Sequence, residues 1–510
     1  MTILTRRSLL AAAAIAMPGL AEAQTKGGVL RVSVDQAVGV LNPLLTRVNP
    51  EYLVAELLYS SLTRLAPDMS AEPDLAKSWS ANADLTQWTF VLRAGVAFHD
   101  GTPCTAKDVV ASFTAIIDPK TASPARSNIG PVERVEAIDD LTVRFILKTP
   151  YADLPVSLAY TNAKIIPAAF AGADFAQLAR KAVGTGPFKL VSYEPDRIIV
   201  VTRNDGYYDA PKPFLDRIEI RVFPDPTAEA SALISGDTDL MANTSPSQYE
   251  RLKAANGVAA LRVPSGQFLN INMGCDQKPF SDVRVRQALA LTVDRDAMIG
   301  FVALGFGTPG QDTPMNAAYH FHVAQPAKKQ DYAAAKKLLA DAGYANGLDL
   351  TLIASETPGV RAQLAVAVRE MAKPAGFRIA VQTMPHATYL DQVWKKGSFY
   401  VGFYNMQATA EAIFALLYTS NAAWNETRWN NAAFDAMVAE ARGITDEAKR
   451  RDAYGRAQAM MHAEVPSVIP AFFDLLAARR TYVQGYTQHP RGAVFRLDQV
   501  SLGAGAPKRG

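Results

Sequence analysis

Residues 348–384 read LDLTLIASETPGVRAQLAVAVREMAKPAGFRIAVQTM, and this stretch predicts the architecture of the C-terminal half of the chain. Strand and helix patterns alternate through it and beyond it, at 348–354, 360–372, 377–384, 387–397 and 399–406. A βαβαβ order of this kind implies parallel strands joined by right-handed crossovers. We therefore predict an α/β fold for this part of the protein.

The same order predicts where a ligand would bind. In open parallel sheets, ligands lie beyond the carboxyl ends of the strands, where loops from neighbouring strands converge. Three loops follow a predicted strand here, at 355–361, 384–388 and 404–411. If the protein has a pocket, we expect these loops to line it.

The remainder of the chain predicts further domains. A length of 510 residues is too great for one hydrophobic core, and 49% hydrophobic with 20% charged residues is typical of a globular protein. The segment 84–98 alternates apolar and polar residues and predicts a strand pair with a turn near Ala94 and Gly95. The glycine-rich stretch VGTGPFKL (183–190) separates this region from a second, sheet-based unit.

The first 23 residues have a different character. Arg6 and Arg7 precede an apolar run that closes on small residues at Ala23. This order is typical of a secretory signal cleaved before Gln24, so we expect export to the periplasm by the general secretory or the twin-arginine route. No later stretch reaches about 18 uninterrupted apolar residues, which predicts a soluble mature protein.

Charge and cysteine content exclude some classes of function. A formal net charge of +3 over 510 residues gives no basic footprint for nucleic acid. Cys104 and Cys275 are the only cysteines, and they lie far apart in the sequence. We expect two buried free thiols rather than a disulfide.

The stretch FHDGTPCTAKDVVASF (98–113) contains a His-Asp pair that invites a catalytic interpretation. It places His99 on a turn between a strand and a helix, and Thr105 with Asp108 resembles a capping box. No nucleophile is close in sequence. We interpret the stretch as scaffold.

Two other motifs also favour structural interpretations. GFGTPG (305–310) matches the dinucleotide-binding pattern G-x-G-x-x-G, but it follows a helix and contains Pro309, so we expect a surface loop. His320 and His322 lie two residues apart without a third metal ligand nearby. No signature of a known enzyme class appears elsewhere.

Several long motifs closely resemble the family 5 extracellular solute-binding proteins of ABC importers, which include peptide, nickel and opine binders. They are PDLAKSW (73–79), WTFVLRAGVAFHDGTPCTAKDVVASF (88–113), GTGPFKL (184–190), RNDGYY (203–208) and PFSDVRVRQALALTVDRDAM (279–298). The resemblance extends from about Gly27 to about Tyr482.

The resemblance implies a three-domain, two-lobed periplasmic binding protein fold of the α/β class (type II). Lobe I would be discontinuous (24–57, 184–266 and 480–510), with an extra domain at 58–183, and 267–479 would form lobe II. The chain would cross between the lobes near 264–272 and 471–481, and the lobes would close on a solute by hinge rotation. The partner would be a membrane permease powered by two ATPases.

The resemblance also suggests binding residues. Peptide-binding members commonly place an Asp for the ligand's α-ammonium where this chain has Met406, and a Met cannot neutralise a buried ammonium. Arg361 matches the position where dipeptide-type members bind the ligand carboxylate. Tyr404 and Trp424, at a strand end or on a loop, are the aromatic residues expected to contact the ligand. Together with Asn405 and Gln407, these residues complete the predicted site.

We therefore predict a monomeric periplasmic solute-binding protein without enzymatic activity or cofactor. Its solute would be an acidic or peptide-like compound, an opine-like conjugate or a metal chelate. The alternatives are a periplasmic metal-dependent hydrolase that uses His99 or the pair His320 and His322, and a protein that binds haem or a metal chelate.

Overall fold

The computed structural model describes residues 25–172, 175–357 and 359–509, so the predicted signal segment 1–23 lies outside the described residues. The strands are β1 (Val29–Val34), β2 (Thr63–Leu65), β3 (Ala71–Pro73), β4 (Ala76–Ala81), β5 (Gln87–Leu92), β6 (Val132–Asp139), β7 (Thr142–Leu147), β8 (Phe188–Glu194), β9 (Ile198–Arg203), β10 (Arg217–Val222), β11 (Leu240–Met241), β12 (Val258–Met273), β13 (Gly307–Pro309), β14 (Leu348–Ser355), β15 (Phe377–Met384), β16 (Phe399–Tyr404), β17 (Ser467–Arg480), β18 (Val483–Gln484) and β19 (Ser501–Leu502).

The α-helices are α1 (Asn49–Leu58), α2 (Ala106–Ile117), α3 (Leu154–Ser157), α4 (Pro226–Ser235), α5 (Pro246–Lys253), α6 (Val283–Leu291), α7 (Arg295–Val302), α8 (Tyr332–Asp341), α9 (Val360–Ala372), α10 (His386–Gln392), α11 (Ala410–Leu417), α12 (Ala432–Arg442) and α13 (Glu447–Glu464). Short 3₁₀ helices lie at Pro119–Thr121, Pro124–Ser127, Ala168–Phe170, Phe175–Ala179, Lys373–Ala375 and Leu497–Gln499. Within the described ranges, no helix is both long and apolar enough to span a bilayer.

One large sheet organises the molecule. Its strand order is β15-β14-β16-β12-β17-β11-β1-β10-β9-β8, with β13 added beside β17. The two longest strands, β12 and β17, pair antiparallel at its centre, from Val258 opposite Arg480 to Asn272 opposite Ser467. Their register shifts between Pro264 and Gln267, where proline lacks the N–H that a regular ladder needs. The chain therefore passes between the two halves of the sheet along an irregular strand pair.

Separate apolar cores lie on the two halves of the sheet. One core takes its buried residues from 30–242 and 477–500, and another takes them from 269–468. A third core joins side chains from both halves, including Met69 and Val494 with Tyr319 and Phe414. The domain boundaries proposed above stay a prediction.

The βαβαβ prediction for 348–406 is confirmed. β14 pairs in parallel with β15 on one side and with β16 on the other, and α9 and α10 are the crossover helices. Buried Leu352, Leu364 and Phe377 anchor this unit in the second core, because each lies on the inward face of its strand or helix. The unit brings the carboxyl ends of all three strands to one edge.

The strand pair predicted within 84–98 is wrong in part. The turn at Ala94 and Gly95 is present, but only β5 is a strand, and beyond it Ala97 makes a single bridge to Pro103. The reason is that β4 and β7 already occupy both edges of β5, so no edge is left for the following residues. The capping box predicted for α2 is confirmed, since the Thr105 backbone N–H donates to Asp108 (2.8 Å).

The surface loop predicted at 305–310 is also corrected. Residues 307–309 form β13, which pairs with β17. A Cβ at Gly307 would lie 2.4 Å from the Phe472 carbonyl oxygen, and one at Gly310 would lie 2.1 Å from that of Ile469. These glycines therefore permit close backbone packing, which is a structural use of the motif. Both cysteines are free thiols, as predicted, and burial raises the pKa of each.

Candidate functional site

A pocket of about 310 Å³ lies at the carboxyl ends of β14, β15 and β16. The three loops predicted to line a pocket each contribute lining residues, and Trp424 and Glu426 come from a fourth segment. The lining residues are Arg361, His386, Tyr389, Leu390, Trp394, Gly402, Phe403, Tyr404, Asn405, Gln407, Trp424 and Glu426. The pocket is thus lined by aromatic, amide and charged side chains from distant parts of the sequence.

Arg361 is the cation of this pocket. It is the second residue of α9, whose N-terminus has no side-chain cap, and only 9% of it is exposed. Its guanidinium carbon lies 5.7 Å from the ring centres of both Tyr389 and Phe403. Among the residues that the structure describes, no carboxylate lies within 4.0 Å of it, and its Nε has no hydrogen-bond partner. Burial lowers its pKa, so the site holds a desolvated, unpaired charge.

Glu426 is the buried acid behind the aromatic wall. Its carboxylate accepts hydrogen bonds from the Tyr404 hydroxyl, the Trp394 indole N–H and the Asn272 amide. Only 3% of the residue is exposed, and burial raises its pKa to about 7, against the effect of these donors and of Arg361. Because both oxygens already accept hydrogen bonds, Glu426 fixes Tyr404 and Trp394 in place.

Three aromatic side chains form one wall. The Trp394 and Trp424 rings meet edge to face at 5.5 Å, and the Tyr404 ring lies 6.2 Å from that of Trp424. Trp424 is 39% exposed, an unusual state for a large apolar side chain that already contacts two other rings. This wall offers the exposed part of an aromatic cluster to a ligand.

Two amide side chains, those of Asn405 and Gln407, also line the pocket. Asn405 accepts a hydrogen bond from the Gln267 amide (2.6 Å), and the Gln407 backbone N–H donates to the Tyr319 hydroxyl (3.0 Å). Both side chains line the pocket, which gives it hydrogen-bonding groups without charge.

A comparison with known families decides the identity of the chain. Residues 70–427 match the family described as bacterial extracellular solute-binding proteins, family 5. The chain belongs to this family. Its members are the substrate-binding components of ABC importers, act outside the cytoplasm, and serve transport rather than catalysis.

Individual relatives match over almost the whole chain. The glutathione-binding protein GsiB of Pectobacterium atrosepticum is 28% identical over 92% of this chain and 93% of its own length. The heme-binding protein A of Haemophilus influenzae is 30% identical over 82% of each chain. Among solved structures, the ABC transporter substrate-binding protein CtaP of Listeria monocytogenes superposes with a TM-score of 0.84 at 25% identity, covering 94% of this chain and 100% of that chain. The two-lobed binding-protein fold is therefore shown for this family 5 chain.

The predicted binding residues separate into two groups. Arg361, Tyr404, Asn405, Gln407 and Trp424 all line the pocket. Met406 does not line the pocket, because successive side chains of an extended segment point to alternate sides. Its side chain faces the third core, where only 2% of the residue is exposed and its sulfur lies 3.3 Å from the Gly266 backbone nitrogen. The predicted binding residue Met406 therefore packs inward and does not reach the pocket.

The histidines singled out in the sequence lie elsewhere. His99 contacts the Gly186 carbonyl oxygen at 3.1 Å, and burial lowers its pKa to about 4, so it is neutral scaffold. His320 lies 2.8 Å from Glu447. In the described part of the chain, no cluster of three His, Cys, Asp or Glu residues could hold a metal.

Sequence reasoning missed Trp394, Glu426 and His386, which line the same pocket. His386 lies within the predicted loop 384–388, so its position was foreseeable, and its Nδ1 lies 3.0 Å from the Ser355 hydroxyl. No local sequence pattern marks Glu426 as a pocket residue, because it lies in a polar stretch, NETRW (425–429), that is typical of a surface loop.

Proposed function

We propose that the solute of this ABC importer component is a small acid bound through its carboxylate to Arg361. The observation that supports this is the buried guanidinium, which has no carboxylate partner within the described ranges and faces the pocket. An unpaired buried charge is costly, and a bidentate carboxylate is the partner that suits its geometry. Solute binding thus restores the pairing that the protein alone does not provide.

The rest of the pocket defines the body of this acid. The wall of Trp394, Tyr404 and Trp424 suits a flat or apolar group, and Asn405 with Gln407 suits amide or hydroxyl groups. Met406 leaves no carboxylate at the position where peptide binders neutralise an α-ammonium. A modified peptide or an opine-like amino acid conjugate fits this combination better than a free peptide.

Haem or a metal chelate is the second candidate. The observation in its favour is His386, whose imidazole lines the pocket and can supply a metal ligand. Absorbance of the purified protein near the Soret band, with and without added haem, tests this candidate. An unchanged spectrum would remove haem.

A thermal-shift screen tests the acidic solute. We expect N-acyl amino acids or opine-like conjugates to raise the Tm, because they bind the folded closed state. Unmodified di- and tripeptides with a free ammonium should raise it less. Equal shifts for free peptides, or shifts only with nickel chelates, would contradict the proposal.

The solute that co-purifies with the protein provides a direct test. Mass spectrometry of the denatured, freshly purified protein should detect a compound with at least one acidic group. A neutral or cationic compound at stoichiometric amount would contradict the carboxylate role of Arg361.

We further infer that the chain is exported with cleavage near Ala23 and works as a periplasmic monomer that delivers solute to a permease with two ATPases. The charged, apolar and small-residue order of 1–23 supports the export step. N-terminal sequencing of the secreted protein should begin at Gln24, and light scattering should report a monomer.

A further inference from the structure

His386 lies beside the cation of the pocket. It begins α10, is half-buried and lines the pocket together with Arg361. Its ring is nearly parallel to that of Tyr389 (12°, with the ring centres 6.3 Å apart), and the Arg361 guanidinium carbon lies 5.7 Å from the centre of the same Tyr389 ring. The imidazole and the guanidinium are therefore both held against one aromatic side chain.

The hydrogen bonds of Ser355 determine which ring nitrogen of His386 carries the proton. The Ser355 hydroxyl has one proton and donates it to the Thr357 carbonyl oxygen (2.8 Å), which can only accept. The His386 Nδ1 lies 3.0 Å from the same hydroxyl oxygen, so this contact is a hydrogen bond only if Nδ1 carries a proton. Ser355 is fully buried, which keeps water from competing for its oxygen.

The second ring nitrogen of His386 is then an acceptor. Burial lowers the pKa of His386, and the charge of Arg361 lowers it further, so the imidazole is neutral at pH 7. A neutral imidazole with its proton on Nδ1 has a lone pair on Nε2. Among the residues that the structure describes, none forms a hydrogen bond with Nε2, and Ser355 is not part of the pocket lining. The ring edge that carries Nε2 is therefore the one free to meet a solute.

We propose that His386 is a specificity-determining residue, whose Nε2 accepts a hydrogen bond from an N–H or O–H group of the solute close to the carboxylate that Arg361 binds. This inference rests on the proposed function, because Arg361 must fix the carboxylate. The amide N–H of an N-acyl amino acid is attached to the same carbon as its carboxylate and suits this position. An ester oxygen in place of that N–H would set one lone pair against another and lose the hydrogen bond.

A matched pair of compounds tests the acceptor. N-benzoylglycine and O-benzoylglycolate share a flat acyl group and a carboxylate, but the second has an ester oxygen where the first has an N–H. Calorimetry with wild-type protein should show about tenfold tighter binding of N-benzoylglycine. His386→Phe keeps a planar ring beside Tyr389 but removes the acceptor, so it should abolish this preference. Arg361→Gln should weaken both compounds.

Two further variants separate the acceptor from a general effect of substitution. His322→Phe is the matched control, because it makes the same exchange at a half-buried histidine that lines a different cavity, and the preference for the amide should remain. Ser355→Ala removes the oxygen that accepts from Nδ1, so the proton is free to move to Nε2, and the preference should fall.

The position of the proton can also be measured without a solute. Heteronuclear NMR of wild-type protein with isotope-labelled histidine, above the pKa of the imidazole, should show the His386 proton on Nδ1 and none on Nε2. His386→Gln assigns the signal. A proton on Nε2 would overturn the inference, and this measurement decides it even if His386→Phe does not fold.

The outcomes separate the two claims. Equal wild-type affinities for the amide and the ester, or a preference that survives His386→Phe, would overturn the role of His386 and leave the proposed function standing. Unchanged affinity for both compounds in Arg361→Gln would overturn the proposed function instead. Binding of neither compound would overturn the proposed aromatic acid together with this inference.

Discussion

Two buried charged sites in the C-terminal half differ in one respect. Arg295 lies 2.8 Å from Asp312, which also contacts Lys328 at 2.7 Å, and the neighbouring Ile469 backbone N–H donates to the same carboxylate (3.0 Å). Arg361 is similarly buried but lies over the Tyr389 and Phe403 rings, and it forms no ion pair with any residue that the structure describes. The first site is complete within the protein and belongs to the scaffold. Under the proposed function, the second takes its anion from the solute, which would distinguish a binding residue from a structural one.

The largest expected effect is on the paired site. Asp312→Asn should destabilise the protein by roughly 3–5 kcal/mol, because it leaves Arg295 and Lys328 as buried cations without their anion. Urea unfolding with a fluorescence or circular dichroism signal measures the change. Asp349→Asn is the control, since its pair with Arg378 is exposed to solvent and should contribute little to stability. Equal losses of stability in the two variants would contradict the difference between the buried and the exposed ion pair.

The next effect concerns Glu426 and pH. Burial raises its folded-state pKa from the ordinary 4.5 to about 7, so protonation favours the folded state. The stability that this group contributes is present below about pH 4.5 and is lost as pH rises to about 7, by up to about 3 kcal/mol. Glu426→Gln removes this titration.

The measurement is the difference in unfolding free energy between wild type and Glu426→Gln at several pH values. Wild type should become less stable relative to the variant between pH 4.5 and 7, and the difference should be constant above that range. A difference that is flat from pH 4.5 to 7 would show that the carboxyl keeps an ordinary pKa.

The third prediction concerns the affinity of the unpaired site for a solute. Arg361→Ala should weaken an acidic solute by well over tenfold, about 2 kcal/mol, because it removes a buried charge-assisted pair. The unliganded Tm should fall far less than in Asp312→Asn, because Arg361 stacks on Tyr389 and Phe403 and forms no ion pair within the described residues. Arg369→Ala, on the exposed side of the same helix and paired with Glu370, should change neither quantity. Unchanged affinity in Arg361→Ala would contradict the carboxylate role.

The smallest expected effect is at Trp424. Its side chain is 39% exposed, so Trp424→Ala should cost little stability but should weaken an aromatic solute about fivefold, roughly 1 kcal/mol. Phe301→Ala is a control, because Phe301 is 52% exposed and lies outside the pocket. Calorimetric titration of both variants with the same aromatic acid distinguishes a ligand contact from a general surface effect. A loss of affinity in both variants would contradict the specific contact.

Much of the fold was predictable because its signals are local. The βαβαβ pattern of 348–406 depends on periodicities of strand and helix, and the capping box at Thr105 depends on residues three apart. The strand pair within 84–98 was predicted incorrectly because strand formation needs a free edge, and β4 and β7 occupy both edges of β5. Edge occupancy is set by residues far away in sequence.

The sequence by itself determined that the chain has an α/β unit, that Arg361 begins the helix after β14, and that Tyr404 and Trp424 follow in an aromatic-rich segment. It could not determine that Met406 faces inward, that Glu426 anchors Trp394 and Tyr404, or that Arg361 lacks an acidic partner among the described residues. Those facts arise only in the tertiary structure, because burial and charge pairing depend on every side chain that folding brings within a few ångströms, whatever its distance along the chain.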